Sequence, residues 1–423
     1  MVISAKQNGS YGGNLINQKY SPLENIGFNA NPDTDCQPIF NARKNILQGS
    51  NYFPTTLNLY SRPALQTNHA GQPAPIIVAS NNRAEWMTKI LRNAELWGMG
   101  MTKDYLNPNT FKQDGKNVVI PWYTPHRSKR PLYVVVHYSE YSHYYQLLKG
   151  SLPSSTDVTV VGYKFGGSST ENMVGFGASR FAALALAMKL GYGQAWTVDD
   201  NVIQINGFPA TLDTVEGHMT PGIFGIGFGG ASDNTTETAF PGKVNFVNQD
   251  PGANFSASQP GLLQQVVLWN ISALSTAQIN MSPIFFASGE DVSFGTFLQN
   301  TSRDQRIITQ MSVIKIVPEN DTNNQGFTYV FCKQRKTLRN LFSGLTQNIT
   351  IKLSTENSLS LDAYINQCQW PGGSDLTVIK SQAAEQIMVK ALALGGHAPN
   401  GIFNPFTSIV DNTQLLAAAA LAE

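Results

Sequence analysis

A chain of 423 residues holds one large domain with additions, or two ordinary ones. Its 42% hydrophobic content supplies a core, but only 13% of residues are charged, about half the usual ~25%, and Asn, Gln, Ser, Thr and Gly take up the difference. A net charge of +1 excludes a global field that would recruit nucleic acid or a membrane surface, and Cys36, Cys332 and Cys368 form neither a zinc pattern nor a disulfide framework.

Unpaired cysteines suit a reducing compartment. Residues Met1–Gln18 are polar with no apolar leader segment, and no apolar run approaches the ~20 residues that span a bilayer. The expected setting is cytoplasmic. Residues 1–72 carry no sustained period and read as an irregular extension, within which Tyr52–Tyr60 can make one strand. Regular structure starts with Pro75–Ser80, a short buried strand, followed by Asn81-Asn82-Arg83. A helix then runs from Ala84 to about Trp97, with Met87, Ile90, Leu91 and Ala94 on one face. Asn82 with Glu85 three residues on has the form of a capping box. Residues 98–130 are an insertion rich in Asn, Pro, Lys and Gly, with a short strand at Val118–Pro121.

Leu132–Val136 is a β-branched run that reads as a strand buried on both faces, followed by a loop at His137–Tyr141 and a short helix at Tyr144–Leu148. Asp157–Gly162 is the third strand. The Gly-rich loop Phe165–Thr170 after it lacks the Gly-Lys-Ser/Thr of a P-loop. Ser179-Arg180 opens a helix through Leu190, with Phe181, Leu184, Ala185 and Met188 inward and Gly191 ending it. Strands and helices alternate, so the fold class is α/β with a mostly parallel sheet flanked by helices.

After Asn201 the pattern loosens. Residues 203–260 are loop-rich, with a strand at Gly222–Phe228, and Gln264–Asn270 fits strand or helix equally. Ser288–Gly295 carries a second acidic pair, Glu290-Asp291, at a helix start, where acids favour the dipole. Met311–Val317, Phe327–Cys332 and Asn348–Leu353 read as strands, and Leu376–Leu394 and Leu415–Leu421 as helices. The organisation is an extension (1–72), an α/β domain (73–318) and a mixed α+β accessory region (319–423). The basic runs Arg127–Arg130 and Lys333–Lys336 with Arg339 read as solvated faces.

The chemistry centres on Ala195–Val202, a strand that ends in Asp199-Asp200 with Asn201 behind. Strand ends in α/β sheets open into ligand crevices. Adjacent carboxylates repel each other unless a cation or ligand donors sit between them. Hard oxygen ligands at that spacing suit Mg²⁺ or Mn²⁺ bridging to a diphosphate. On that reading Asp200→Ala relieves repulsion and spares the fold. Asp-Asp-Asn is also ordinary turn chemistry, and on that reading the same change unfolds the protein. Ser80–Arg83 puts backbone N–H groups and an arginine at the same sheet edge, fit for an anion or a base, though an ordinary capped turn looks the same.

Ser80–Arg83, Ala178–Arg180, Trp196–Asp200 and Glu290–Phe294 stand in an order that resembles GT-A-fold nucleotide-sugar glycosyltransferases. The nearest likeness is to the group found beside DNA-base-hydroxylating oxygenases and in viruses and phages. The resemblance covers about residues 73–318 and implies a metal-dependent transfer of a sugar from a nucleotide donor, a UDP-sugar with Mn²⁺ or Mg²⁺, to a hydroxyl. Ala79, Ser80, Asn82 and Arg83 would contact the nucleotide, Glu140 would lie near the base, and Arg180 would approach the diphosphate. Asp199 and Asp200 would hold ribose and metal, and Glu290 or Asp291 would face the acceptor as general base. In this group the acceptor is hydroxymethylated pyrimidine in DNA. A net charge of +1 is poor for a duplex binder, so a protein, glycan or small-molecule hydroxyl is the alternative.

The chain departs from the family at several points. Asp199-Asp200-Asn201 is not a strict Asp-x-Asp, and the 98–130 insertion is unusual. A late histidine often joins the metal, and His397 is the candidate, with His218 beside it; a lone loop histidine is more often structural. Glu216 and Asp250 are fallback bases. Rival readings are a nucleotidyltransferase, disfavoured because Ser80–Arg83 is not Gly-rich, and a virion structural protein, suggested by low charge and abundant Asn, Gly and Thr. A degenerate transferase that only binds completes the set.

Overall fold

The computed structural model describes chiefly residues 2–4, 56–98, 121–153, 156–166, 175–205, 210–228, 255–257, 265–282, 290–308, 313–315, 339–352, 358–370, 374–381 and 409–411. In chain order these form β1 (Val2–Ser4), β2 (Thr56–Ser61), β3 (Ile76–Ala79), α1 (Ala84–Gly98), α2 (Pro125–Ser128), β4 (Leu132–His137), α3 (Tyr138–Ser151), β5 (Val158–Gly166), α4 (Phe176–Leu190), β6 (Gln194–Asp199), β7 (Val202–Ile205) and α5 (Ala210–Gly217). There follow β8 (Ile223–Phe228), β9 (Phe255–Ala257), β10 (Val266–Asn270), α6 (Ile271–Ala277), α7 (Glu290–Asn300), β11 (Asp304–Ile308), β12 (Val313–Lys315), β13 (Thr350–Lys352), β14 (Ser358–Ser360), α8 (Leu361–Gln367) and β15 (Ile409–Asp411).

The main sheet has ten strands in the order β15-β2-β5-β4-β3-β6-β10-β8-β11-β9. Its centre, β5-β4-β3-β6, is parallel, while β10 runs antiparallel to both β6 and β8. This is an α/β fold with a mixed sheet, parallel where the expected crevice lies. From β3 the chain steps to β4 and β5 on one side, then returns to place β6 on the other side of β3. The connection reverses between β3 and β6, and in open α/β sheets ligands bind at such a reversal.

Alternation along the strands supplies two apolar faces. Ile76 and Val78 of β3, with Leu132, Val134 and Val136 of β4, pack under α1 and α3 together with Trp122 and Trp196. Ile77, Tyr133 and Val135 point the other way, onto α4. All six residues of β4 are buried, as a β-branched run between two layers requires. On α4, Phe181, Leu184 and Ala185 are buried as expected, but so are Ala182, Ala183, Leu186 and Ala187. The helix is apolar all round because Phe285, Phe286, Phe294 and Leu298 lie in the same cluster. Gly191 closes it with φ 77, a left-handed conformation that glycine adopts at no steric cost.

Several local expectations change. His137–Tyr141 is not a loop: α3 starts at Tyr138, capped by the His137 side chain, because Tyr141, Tyr144 and Leu148 all bury on one face. Within Gln264–Asn270, Val266–Asn270 forms strand β10, buried at every position between β6 and β8. Of Met311–Val317, the described residues 313–315 form β12, which pairs with β7 in a separate ribbon. The expected boundaries at 72 and 319 are both crossed by the main sheet, since β2 pairs with β5 and β15 with β2. Arg130 is no solvated face: its guanidinium lies between Asp213 (2.5 Å) and Glu216 (3.2 Å) and is 11% exposed. The expected strands at Val118–Ile120 and Phe327–Cys332, the basic run Lys333–Lys336 and the terminal helix Leu415–Leu421 lie outside the described residues. Among the described residues no helix is long and apolar enough to cross a membrane.

Candidate functional site

Two arginine-centred groups meet at the C-terminal edge of β3 and β6, and the adjacent acids Asp199 and Asp200 are divided between them. Asp200 turns toward the α1 side. Its Oδ1 pairs with the Arg83 guanidinium and its Oδ2 accepts from Ser80 Oγ at 2.8 Å. That commits the single Ser80 hydroxyl hydrogen, so Tyr144 donates to Ser80 across their 2.9 Å contact. Tyr144 in turn accepts the Arg83 backbone N–H at 2.9 Å. A further hydroxyl, Tyr123, donates to the Asp200 carbonyl. The ring of bonds is closed, and Asp200 is 3% exposed. Burial pushes its pKa up, while Arg83 and Ser80 pull it back.

Asn82 makes the turn that brings Arg83 into place. It adopts φ 54, a left-handed conformation that Asn tolerates better than other side chains. Its backbone N–H donates to Glu140 Oε2 at 2.9 Å, and Glu85 bonds His143 at 2.8 Å, so the expected capping box gives way to two links onto α3. Glu140 Oε1 is buried and has no hydrogen-bond partner. Burial raises the Glu140 pKa from 4.5 to about 7, against the pull of the Asn82 N–H.

Asp199 turns the opposite way, toward α4 and α7. There Arg180 Nη2 reaches Asp199 Oδ1 at 3.1 Å, while Nη1 reaches Glu290 Oε1 at 2.5 Å and Asp291 Oδ2 at 3.6 Å. Burial works against the charge on Arg180, but the three carboxylates outweigh it and push its pKa further up. Glu290 is 3% exposed, and burial with the neighbouring Asp291 pushes its carboxyl well above the usual range despite Arg180. The start of α7 reaches Arg180 because α4 carries Gly177 there: its N–H donates to the Phe286 carbonyl at 3.1 Å. A Cβ at Gly177 would lie 2.7 Å from the Phe285 carbonyl and 2.9 Å from Glu290 Cβ. A small hollow adjoins this group and is lined by Ala79, Arg180, Thr197, Asp199, Gln265 and Trp269, among others.

The expected donor residues Ala79, Ser80, Asn82, Arg83, Glu140, Arg180 and Asp199 thus converge on one sheet edge, and Glu290 and Asp291 reach it from α7. Asp200 stands apart from its expected role. Its carboxylate pairs with Arg83 and Ser80 while Asp199 turns to Arg180, so the two adjacent acids have different partners. Among the described residues no three His, Cys, Asp or Glu side chains form a group that could hold a metal ion. Mg²⁺ commonly takes one or two carboxylates and completes its shell with phosphate oxygens and water. Asp199, with its side chain 24% exposed against 4% for Asp200, fits that role. His397 and Asp250 lie outside the described residues, as does Ser288, the expected cap of α7. Glu216 is held by Arg130 and by Trp196 Nε1 at 2.9 Å.

Sequence reasoning missed Tyr123, Tyr144 and Gly177. Tyr144 lies 64 residues from Ser80 in the chain, and nothing local marks a tyrosine that will bridge two strand ends. Gly177 does carry a signal: it stands in Gly-Ala-Ser-Arg just inside a helix, where glycine costs stability unless a neighbour needs the space. No protein-family model matches the chain, and no curated protein matches it.

Proposed function

We propose that the protein is a glycosyltransferase of GT-A type, moving a sugar from a nucleoside diphosphate to a hydroxyl acceptor. The observation that supports it most is the convergence of Ser80–Arg83 and Asp199 on the reversal point between β3 and β6, with two further carboxylates arriving from α7. In this reading the base lies against the turn 80–83 and Glu140, whose unpartnered Oε1 hydrogen-bonds the base. The ribose and diphosphate lie across Arg83 and Asp199. A divalent cation shared by Asp199 and phosphate oxygens would supply charge stabilisation for the leaving diphosphate. Glu290 and Asp291 face the acceptor. A carboxylate whose pKa is raised toward neutrality is suited to take a hydroxyl proton. Hydroxymethylated pyrimidine in DNA is the acceptor that the sequence resemblance favours, and a protein or glycan hydroxyl is the alternative.

Titration with UDP and Mn²⁺ tests the donor half. Binding raises the melting temperature by mass action on the folded state. Absence of any shift or heat up to millimolar nucleotide removes the donor site. For the acceptor half, Glu290→Gln and Asp291→Asn keep size and most hydrogen bonding. Donor affinity persists in these variants, and transfer falls by ~10²-fold or more for whichever acid is the base. Unchanged transfer in both reduces the pair to a helix start.

A further inference from the structure

Resting on the transferase reading, we propose that Arg180 is a positioning residue that fixes the acceptor-side acids against the donor-side acid, rather than a clamp for the diphosphate. One guanidinium serves three carboxylates, on two elements far apart in sequence: Asp199 at the end of β6, and Glu290 and Asp291 at the start of α7. Its two terminal nitrogens point to different elements, so the side chain acts as a brace between them. Among the described residues the group is net negative when its acids are ionised. An incoming diphosphate therefore meets carboxylates around this arginine, and like charges disfavour its approach. The side chain is 16% exposed against 17% for Arg83, so exposure does not set the two arginines apart. What sets them apart is the described pairing: Arg83 meets the Asp200 carboxylate, and Arg180 meets three carboxylates. Gly177 adds independent support: the close approach of α7 to α4 needs a position with no side chain, and that approach is what brings Glu290 to Arg180. The planar fork of arginine can bond both elements at once, whereas a lysine ammonium is a point charge on a flexible stem.

The test compares wild type, Arg180→Lys, Arg180→Gln, Glu290→Gln and the double variant Arg180→Gln/Glu290→Gln, each with Mn²⁺. Calorimetry reads affinity for UDP against UMP, and nucleotide release from UDP-glucose, with water as acceptor, reads turnover. The expected result is a UDP-over-UMP preference in the double variant within about threefold of wild type. Turnover falls by about 10²-fold in Arg180→Gln, as misplacement of a reacting group entails, and Arg180→Lys recovers part of it. The double variant is no slower than the slower single variant, since both changes disable one unit. If Arg180→Gln alone fails to fold, the double variant, which removes a cation and an anion together, carries the affinity comparison. Collapse of the UDP-over-UMP preference by about tenfold, or losses that simply multiply, overturns the proposal and makes Arg180 a diphosphate ligand. A wild-type chain that binds neither nucleotide retires the transferase reading itself, and the positioning role with it.

Discussion

The two arginine groups at the sheet edge use the same chemistry to opposite ends. Among the described residues Arg83 pairs with Asp200, the Ser80 and Tyr144 hydroxyls are committed, and Asp200 is shut away from water. Around Arg180 three carboxylates share one guanidinium, and Asp199 and Asp291 remain partly exposed. A balanced, closed network adds rigidity; an unbalanced one at a crevice holds charge ready for a ligand or a proton. Adjacent residues in the chain, Asp199 and Asp200, therefore belong to different kinds of structure.

Asp200→Asn should show the largest effect. It breaks a buried pair and takes the Asp200 carboxylate from Arg83, so chemical denaturation should find a loss of about 3–5 kcal/mol. This reverses the expectation that removing Asp200 relieves repulsion; a variant as stable as wild type would restore that expectation and erase the contrast between the groups.

Glu140 gives the next effect, and it depends on pH. Its folded pKa, about 7, lies above the ordinary 4.5, so the folded state holds a proton that the unfolded state has released. The associated stability is fully present below pH 4.5 and is lost as pH rises to about 7, a fall of about 3 kcal/mol. Glu140→Gln keeps an oxygen for the Asn82 N–H and should flatten this slope, raising stability at pH 8 while weakening nucleotide binding. Melting curves from pH 4 to pH 8 on both proteins decide it; parallel curves would mean that Glu140 is not held protonated by its site.

Gly177→Ala comes third. The added methyl meets backbone atoms of residues 285 and 286, which cannot swing away as a side-chain tip would. Overpacking of this kind costs about 1–3 kcal/mol. If α7 is displaced as a result, donor hydrolysis falls while UDP affinity is kept; equal loss of both would place Gly177 in the general scaffold. The smallest stability effect belongs to Glu290→Gln. The amide oxygen still accepts from Arg180, which keeps Asp199 and Asp291, and one buried charge is removed from a crowded group. Its unfolding free energy should stay within about 1 kcal/mol of wild type. The same carboxylate-to-amide change at Asp200 and at Glu290 thus separates the two groups directly.

The sequence alone determined the alternation of strands and helices, because burial on both faces of a parallel strand leaves a β-branched run such as Leu132–Val136 that no other environment favours. It also put Ser80–Arg83 and Asp199 at the ends of such runs, which the sheet brings to one edge. What only the tertiary structure decided is which way each side chain turns. Asp199 and Asp200 are equivalent in sequence, but successive residues at a strand end point to opposite faces, and the partners waiting on those faces come from distant segments. Tyr144, Arg180 and Glu290 leave no local trace of that partnership. The start of α3 was hidden for a related reason: His137–Tyr141 has weak intrinsic helix preference, and only the apolar layer over β4 and β5 makes burying Tyr141 and Tyr144 on one helical face worth the ordering. Long-range pairing is a property of the folded sheet, and a pattern read along the chain carries only its periodicity.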